Sequence, residues 1–142
     1  MKIQPTHDYT GYGWEGEAYQ QTKALSTVEI AKKIKKEVGS QYPKVKVSIR
    51  TRYGTCTSAI DLKVLDFGFD PLTEQYKTYA QSDKSVSFRA WCNNMGLPDM
   101  RYTKEATVIL KEIESIGNSY RYMDTDGQID YFDTNFYFFV SC

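Results

Sequence analysis

The 142-residue chain predicts an α+β fold: a largely antiparallel sheet of about four strands with helices packed on one face. Three observations carry it. Two segments have capping residues ahead of an apolar stripe at helical spacing. Two others alternate apolar and polar residues around turn signals. Their order along the chain is helix, hairpin, helices, hairpin, and packing the apolar helix faces on one side of a sheet is the simplest way to bury them.

Residues 1–22 predict an irregular arm, with Tyr9, Tyr12, Trp14 and Tyr19 scattered among Gly11, Gly13 and Gly16 at neither period. Residues 23–142 then read as one α+β domain. Ser26-Thr27-Val28-Glu29 is a capping box: the serine oxygen accepts the backbone N–H of Glu29, whose carboxylate reaches back to residue 26. Ile30, Ala31, Ile34 and Val38 form the stripe that follows. Gly39 stands at the expected C′ position, and Pro43 blocks resumption. Val45, Val47 and Ile49 alternate with Lys46, Ser48 and Arg50, and Ile60, Leu62 and Val64 with Asp61 and Lys63. The turn Tyr53-Gly54-Thr55 makes the two runs an antiparallel hairpin.

Asp70-Pro71 predicts a helix start, with Leu72, Tyr76 and Tyr79 at helical spacing. Residues 85–95 fit both periods, but Gly96 and Pro98 form a helix stop, which favours helix. Thr103 caps a helix with the stripe Ala106, Ile109, Leu110, Ile113 and Ile116, ending at Gly117-Asn118. Asp126-Gly127 is a hairpin turn signal. Phe132, Phe136, Phe138 and Val140 then predict one face of a long final strand.

Composition narrows the function classes. A hydrophobic fraction of 41% with 15% aromatics is enough for a core and unlike a disordered chain. The sequence has no apolar run of membrane-spanning length and no apolar stretch near Met1, so a cytoplasmic location with no membrane contact is expected. Cys56, Cys92 and Cys142 are odd in number and widely spaced, which argues for free thiols rather than a disulfide framework. Net charge is zero, yet residues 1–63 hold 11 Lys/Arg against 6 Asp/Glu and residues 64–142 hold 7 against 12. A basic half of this kind suits a polyanion or an acidic protein surface.

The motifs for catalysis fail on context. Gly11-Tyr12-Gly13-Trp14-Glu15-Gly16 is a literal G-x-G-x-x-G, but no strand precedes it and no helix opens on it, as a dinucleotide site requires. Asp124, Asp126, Gly127, Ile129 and Asp133 match part of a calcium loop, yet Tyr122 stands where the first ligand belongs. His7 is the only histidine, so no histidine pair exists for a metal. Neither a catalytic residue, nor a metal ligand, nor a cofactor is expected. Lys44, Lys46, Arg50 and Arg52 share one parity, so a continuous strand places them on one sheet face, with Lys33 and Lys36 as neighbours from the first helix. Such a row can follow phosphates while Tyr42 or Tyr53 stacks on bases.

Three stretches and the tail carry a resemblance: residues 26–37 (STVEIAKKIKKE), 42–50 (YPKVKVSIR), 58–64 (SAIDLKV) and 130–133 (DYFD). Together they resemble the large polyvalent-protein-associated domain family, most clearly over residues 25–80. The family usually shows glycine where Cys56 and Thr57 stand. The resemblance implies a phage, plasmid or conjugative-element setting and accessory work in DNA transfer or counter-defence in the host cytoplasm. It implies no catalytic residues. The expected function is therefore a non-enzymatic accessory protein that binds nucleic acid through a basic strand and helix. The alternatives are an inhibitor or adaptor of a host protein with an acidic surface, and a metal-dependent nuclease-like enzyme using the acidic turn at Asp124, Asp126, Asp130 and Asp133.

Overall fold

A computed structural model describes residues 12–54, 57–126 and 131–142. The fold is α+β. In chain order the elements are β1 (Tyr12–Glu15), α1 (Tyr19–Thr22), α2 (Thr27–Gln41), β2 (Lys46–Tyr53), β3 (Ser58–Asp66), α3 (Glu74–Ala80), α4 (Phe88–Met95), α5 (Lys104–Asn118), β4 (Tyr122–Asp126), β5 (Tyr131–Thr134) and β6 (Tyr137–Ser141). The described strands divide into two sheets of three, ordered β1-β4-β5 and β2-β3-β6, where one sheet of about four was expected. All pairs are antiparallel except β3–β6, which is parallel. A parallel pair needs a long crossover, here supplied by everything between residues 66 and 137.

The capping box forms as the sequence predicts. Glu29 N–H donates to Ser26 Oγ at 3.2 Å, and Ser26 N–H donates to Glu29 Oε2 at 3.2 Å. Helix α2 runs past Gly39 to Gln41 and ends at Tyr42, against Pro43. Thr73, not Asp70, caps α3; Asp70 instead accepts the N–H of Leu72 in a turn, because Asp bonds readily to its own backbone two residues on. Ser87 and Thr103 cap α4 and α5. Gly96 ends α4 with φ +69°, in the left-handed region that costs glycine nothing.

Two expectations change. The described part of the arm is ordered into β1 and α1, so Tyr12–Glu15 of the G-x-G-x-x-G segment is strand. Gly16 lies against the backbone of Asn118 and Ser119, with no room for a Cβ. The long final strand is two strands in different sheets. Asn135 makes the break: its Oδ1 accepts the N–H groups of Tyr122 and Phe136, both at 3.1 Å, and its Nδ2 donates to the carbonyl of Tyr120 at 2.9 Å. These bonds replace the backbone partners that a continuous strand would supply.

The main core lies on one face of β2-β3-β6. Ile30, Ala31, Ile34 and Val38 of α2 and Ala106, Ile109 and Ile113 of α5 cover Ile60, Leu62 and Val64 of β3 and Phe138 of β6. Each isoleucine, leucine, valine or phenylalanine among them stabilises the fold by about 1.5–3 kcal/mol on burial. Helices α3 and α4 stand apart as a hairpin closed at its base by the Leu72–Tyr102 bridge. Their rings, Tyr76, Tyr79, Phe88 and Trp91, pack on one another. No described helix is long and apolar enough to cross a membrane.

Candidate nucleic-acid interface

With α2 and α5 on one face of β2-β3-β6, the residues of opposite parity form the other, uncovered face. The register sets them in rows across the strands: Arg52, Ala59 and Tyr137; Arg50, Asp61 and Phe139; Ser48, Lys63 and Ser141. Lys46 sits beyond, opposite Asp66, where a bulge interrupts the β2–β3 ladder. The face therefore combines four cations, Lys46, Arg50, Arg52 and Lys63, with two aromatic rings, half-buried Tyr137 and exposed Phe139. Phe139 is 50% exposed, and its ring stacks beside that of Tyr137 at 6.3 Å with 18° between the planes.

Arg52 is held in place. Its Nε and Nη2 donate to the two oxygens of Asp61, the second at 3.0 Å, and its Cζ lies 5.8 Å from the Phe139 centroid. The hydrogen bond from Arg52 draws the Asp61 carboxyl below the ordinary aspartate range and pushes the guanidinium up. Among the described residues, Lys46, Arg50 and Lys63 make no ion pair, so their charge is available to a ligand.

Beside this row the face dips into a depression of about 540 Å³, lined by Arg52, Tyr53, Gly54, Thr57, Ser58, Ala59, Tyr137 and Phe139. Ala59, the small residue of its row, makes the floor. Tyr53, 66% exposed at the end of β2, borders it at the hairpin end.

Beneath Tyr137 lies Arg121, which is buried. Its Nε donates to the carbonyl of Phe136 at 2.6 Å, Nη1 to Asn118 Oδ1 at 2.9 Å and Nη2 to Thr134 Oγ1 at 3.3 Å. Its Cζ is 5.5 Å from the Trp14 ring centroid and 5.8 Å from that of Tyr137. Burial pulls this guanidinium down from its ordinary value, with Tyr137 opposing. Arg121 thus ties β1, the end of α5 and the start of β6 together, fixing the rings that reach the open face.

The predicted basic set is only partly assembled. Lys46, Arg50 and Arg52 share the open face. Lys44 precedes β2, with Gly68 against its backbone, and lines a separate cavity with Tyr42, Phe67, Phe69 and Glu105. Lys33 and Lys36 are exposed on α2, which packs on the opposite face of the sheet, so helix and sheet separate them from the basic row. The physical reason is that the stripe Ile30-Ala31-Ile34-Val38 must face the sheet, which turns Lys36 outward. Tyr42 packs half-buried against the core; of the two tyrosines expected to stack, only Tyr53 borders the face.

Sequence reasoning missed Lys63, Tyr137 and Phe139. The alternation Phe136, Phe138, Val140 was legible, and its opposite parity would have named the two rings. What was not legible was that β6 lies beside β3, because a parallel partner far along the chain leaves no local signal.

Among the described residues no group of three or more His, Cys, Asp or Glu is placed to hold a metal. Asp124 is wholly buried in β4 and paired in register with Asp133. Gly127, Ile129 and Asp130 of the calcium-loop reading, and His7, Tyr9 and Gly11, lie outside the described residues. An acidic groove of about 620 Å³, lined in part by Glu17, Glu37 and Glu112, runs between α2 and α5 on the helical side. No protein-family model, curated protein or solved structure matches the chain.

Proposed function

We propose that this chain is a non-enzymatic binding protein that takes nucleic acid on the open face of β2-β3-β6. One observation supports the reading above the others: unpaired Lys46, Arg50 and Lys63 share a face with half-buried Tyr137 and exposed Phe139, while the acidic groove lies on the helical side. Cations in a row neutralise phosphates, and exposed rings add contact area that the phosphates alone do not use. Accessory work for a phage, plasmid or conjugative element, in DNA transfer or counter-defence, is the setting that goes with this reading.

Salt titration of binding to random-sequence DNA and RNA tests it. The Arg50→Ala/Lys63→Ala variant removes two phosphate contacts, so the log–log salt slope should fall by about 1.5 units. Its melting temperature should stay close to that of the parent, because exposed charges contribute little stability. Equal slopes in the two proteins, or no binding by the parent near physiological salt, overturn the proposal. Capture of an acidic host protein that the double variant loses, without polynucleotide binding by the parent, would assign the face to a protein partner instead.

A further inference from the structure

The depression beside the basic row narrows the ligand, on the premise that the open face takes nucleic acid. We infer that the ligand is single-stranded, with one unpaired base seated on the Ala59 floor against the Tyr137–Phe139 rings.

Three features lead there. The floor is low because Ala59 stands where its row neighbours are Arg52 and Tyr137, and the lining includes the stacked rings of Tyr137 and Phe139. A volume of about 540 Å³ admits a planar heterocycle. In a duplex the faces of the bases are stacked on one another, so a sheet-borne ring has nothing to stack on. An unpaired base offers its face freely. Finally, the cations are divided by role. Arg52 is engaged by Asp61 and lies over Phe139, so it builds the rim. Arg50 and Lys63, one and two rows away and unpaired, are placed to meet the phosphates that flank the seated base.

The test uses the whole protein with oligo-dT, oligo-U and a blunt duplex of the same phosphate number, in the parent and in Ala59→Leu and Phe139→Ala. Leucine at 59 fills the seat, and alanine at 139 removes a wall that is half exposed and so bears little on folding. Both single strands, or one of them, should bind the parent at least about tenfold tighter than the duplex. The two polymers distinguish DNA from RNA as the source of the base. Each substitution should weaken single-strand binding by roughly 5- to 140-fold, the range for loss of one stacked base, while the salt slope stays unchanged because the phosphate contacts remain. Thermal melts confirm that the variants are folded, and Phe139→Ala suffices if leucine at 59 disturbs the sheet. Equal affinity for duplex and single strands, or full single-strand affinity in both variants, overturns the inference but leaves salt-dependent nucleic-acid binding standing. Absence of binding to all three polymers removes the premise as well.

Discussion

Replacing Gly39 and Gly117 separately by alanine applies one chemical change at two positions in the last turns of helices, with opposite expected results. A Cβ at Gly39 meets nothing within 4 Å. Alanine there removes backbone freedom from the unfolded chain and favours helix α2, by about 0.5 kcal/mol so close to a helix end. At Gly117 the same methyl is built into the Phe138 ring, overlapping its Cδ2, Cε2 and Cζ atoms. That ring is buried in the core with Ile109 and Ile113, so it yields only if α5 lifts from β6. Overpacking of this kind costs about 1–3 kcal/mol, more than the helix gains. In a chain of this length 1 kcal/mol moves the melting temperature by about 3–4 °C. Gly39→Ala should therefore melt about 2 °C higher than the parent, and Gly117→Ala about 2–10 °C lower. Circular dichroism melts, checked by urea unfolding, read both. A Gly117→Ala protein that gains stability as Gly39→Ala does would refute the close approach of α5 to β6, and with it the argument that β6 is pinned with Tyr137 and Phe139 outward.

Two further outcomes test the groups around the open face. Arg121→Ala leaves the Asn118 side chain without its donor and the Phe136 carbonyl with Thr134 Oγ1 alone, and should cost about 3 kcal/mol, roughly 10 °C; a variant that melts with the parent would show the guanidinium to be dispensable. Asp61→Asn frees Arg52, so polynucleotide affinity should rise at low salt and the salt slope steepen by up to about 0.9. Because the folded Asp61 carboxyl lies below its ordinary value, the stability from its pairing is fully present above about pH 4. That stability is lost as pH falls through the lowered folded value. Melts of parent and Asp61→Asn should accordingly run parallel from pH 7 to 5 and converge only on stronger acidification. Convergence already at pH 6 would refute the pairing.

What the residues determined by themselves was local. The Ser26 box, the Thr103 cap and the stripes of α2 and α5 follow from hydrogen bonds and periodicities that span a few residues. So does the β2–β3 hairpin, and with it the shared face of Lys46, Arg50 and Arg52. Residues 85–95 fitted strand and helix alike, and the Gly96 stop resolved them because a left-handed residue ends a helix wherever it occurs. The α+β class follows from these pieces.

The tertiary structure decided how they meet. One parity pattern from Phe132 to Val140 fits a single strand and two strands equally well; the bonds of Asn135 to Tyr120, Tyr122 and Phe136 break it, and the first two of those partners lie about 13–15 residues earlier, leading into β4. Lys33 and Lys36 left the basic row because the stripe of α2 had to be buried on the opposite side of the sheet. Tyr137 and Phe139 joined it because β6 pairs in parallel with β3, about 80 residues earlier in the chain, whereas Lys63 comes with the hairpin, opposite Ser48. Periodicity shows which side chains share a face of one strand, but the choice of neighbouring strand is made by the whole core closing at once, with α5 pressed through Gly117 onto Phe138.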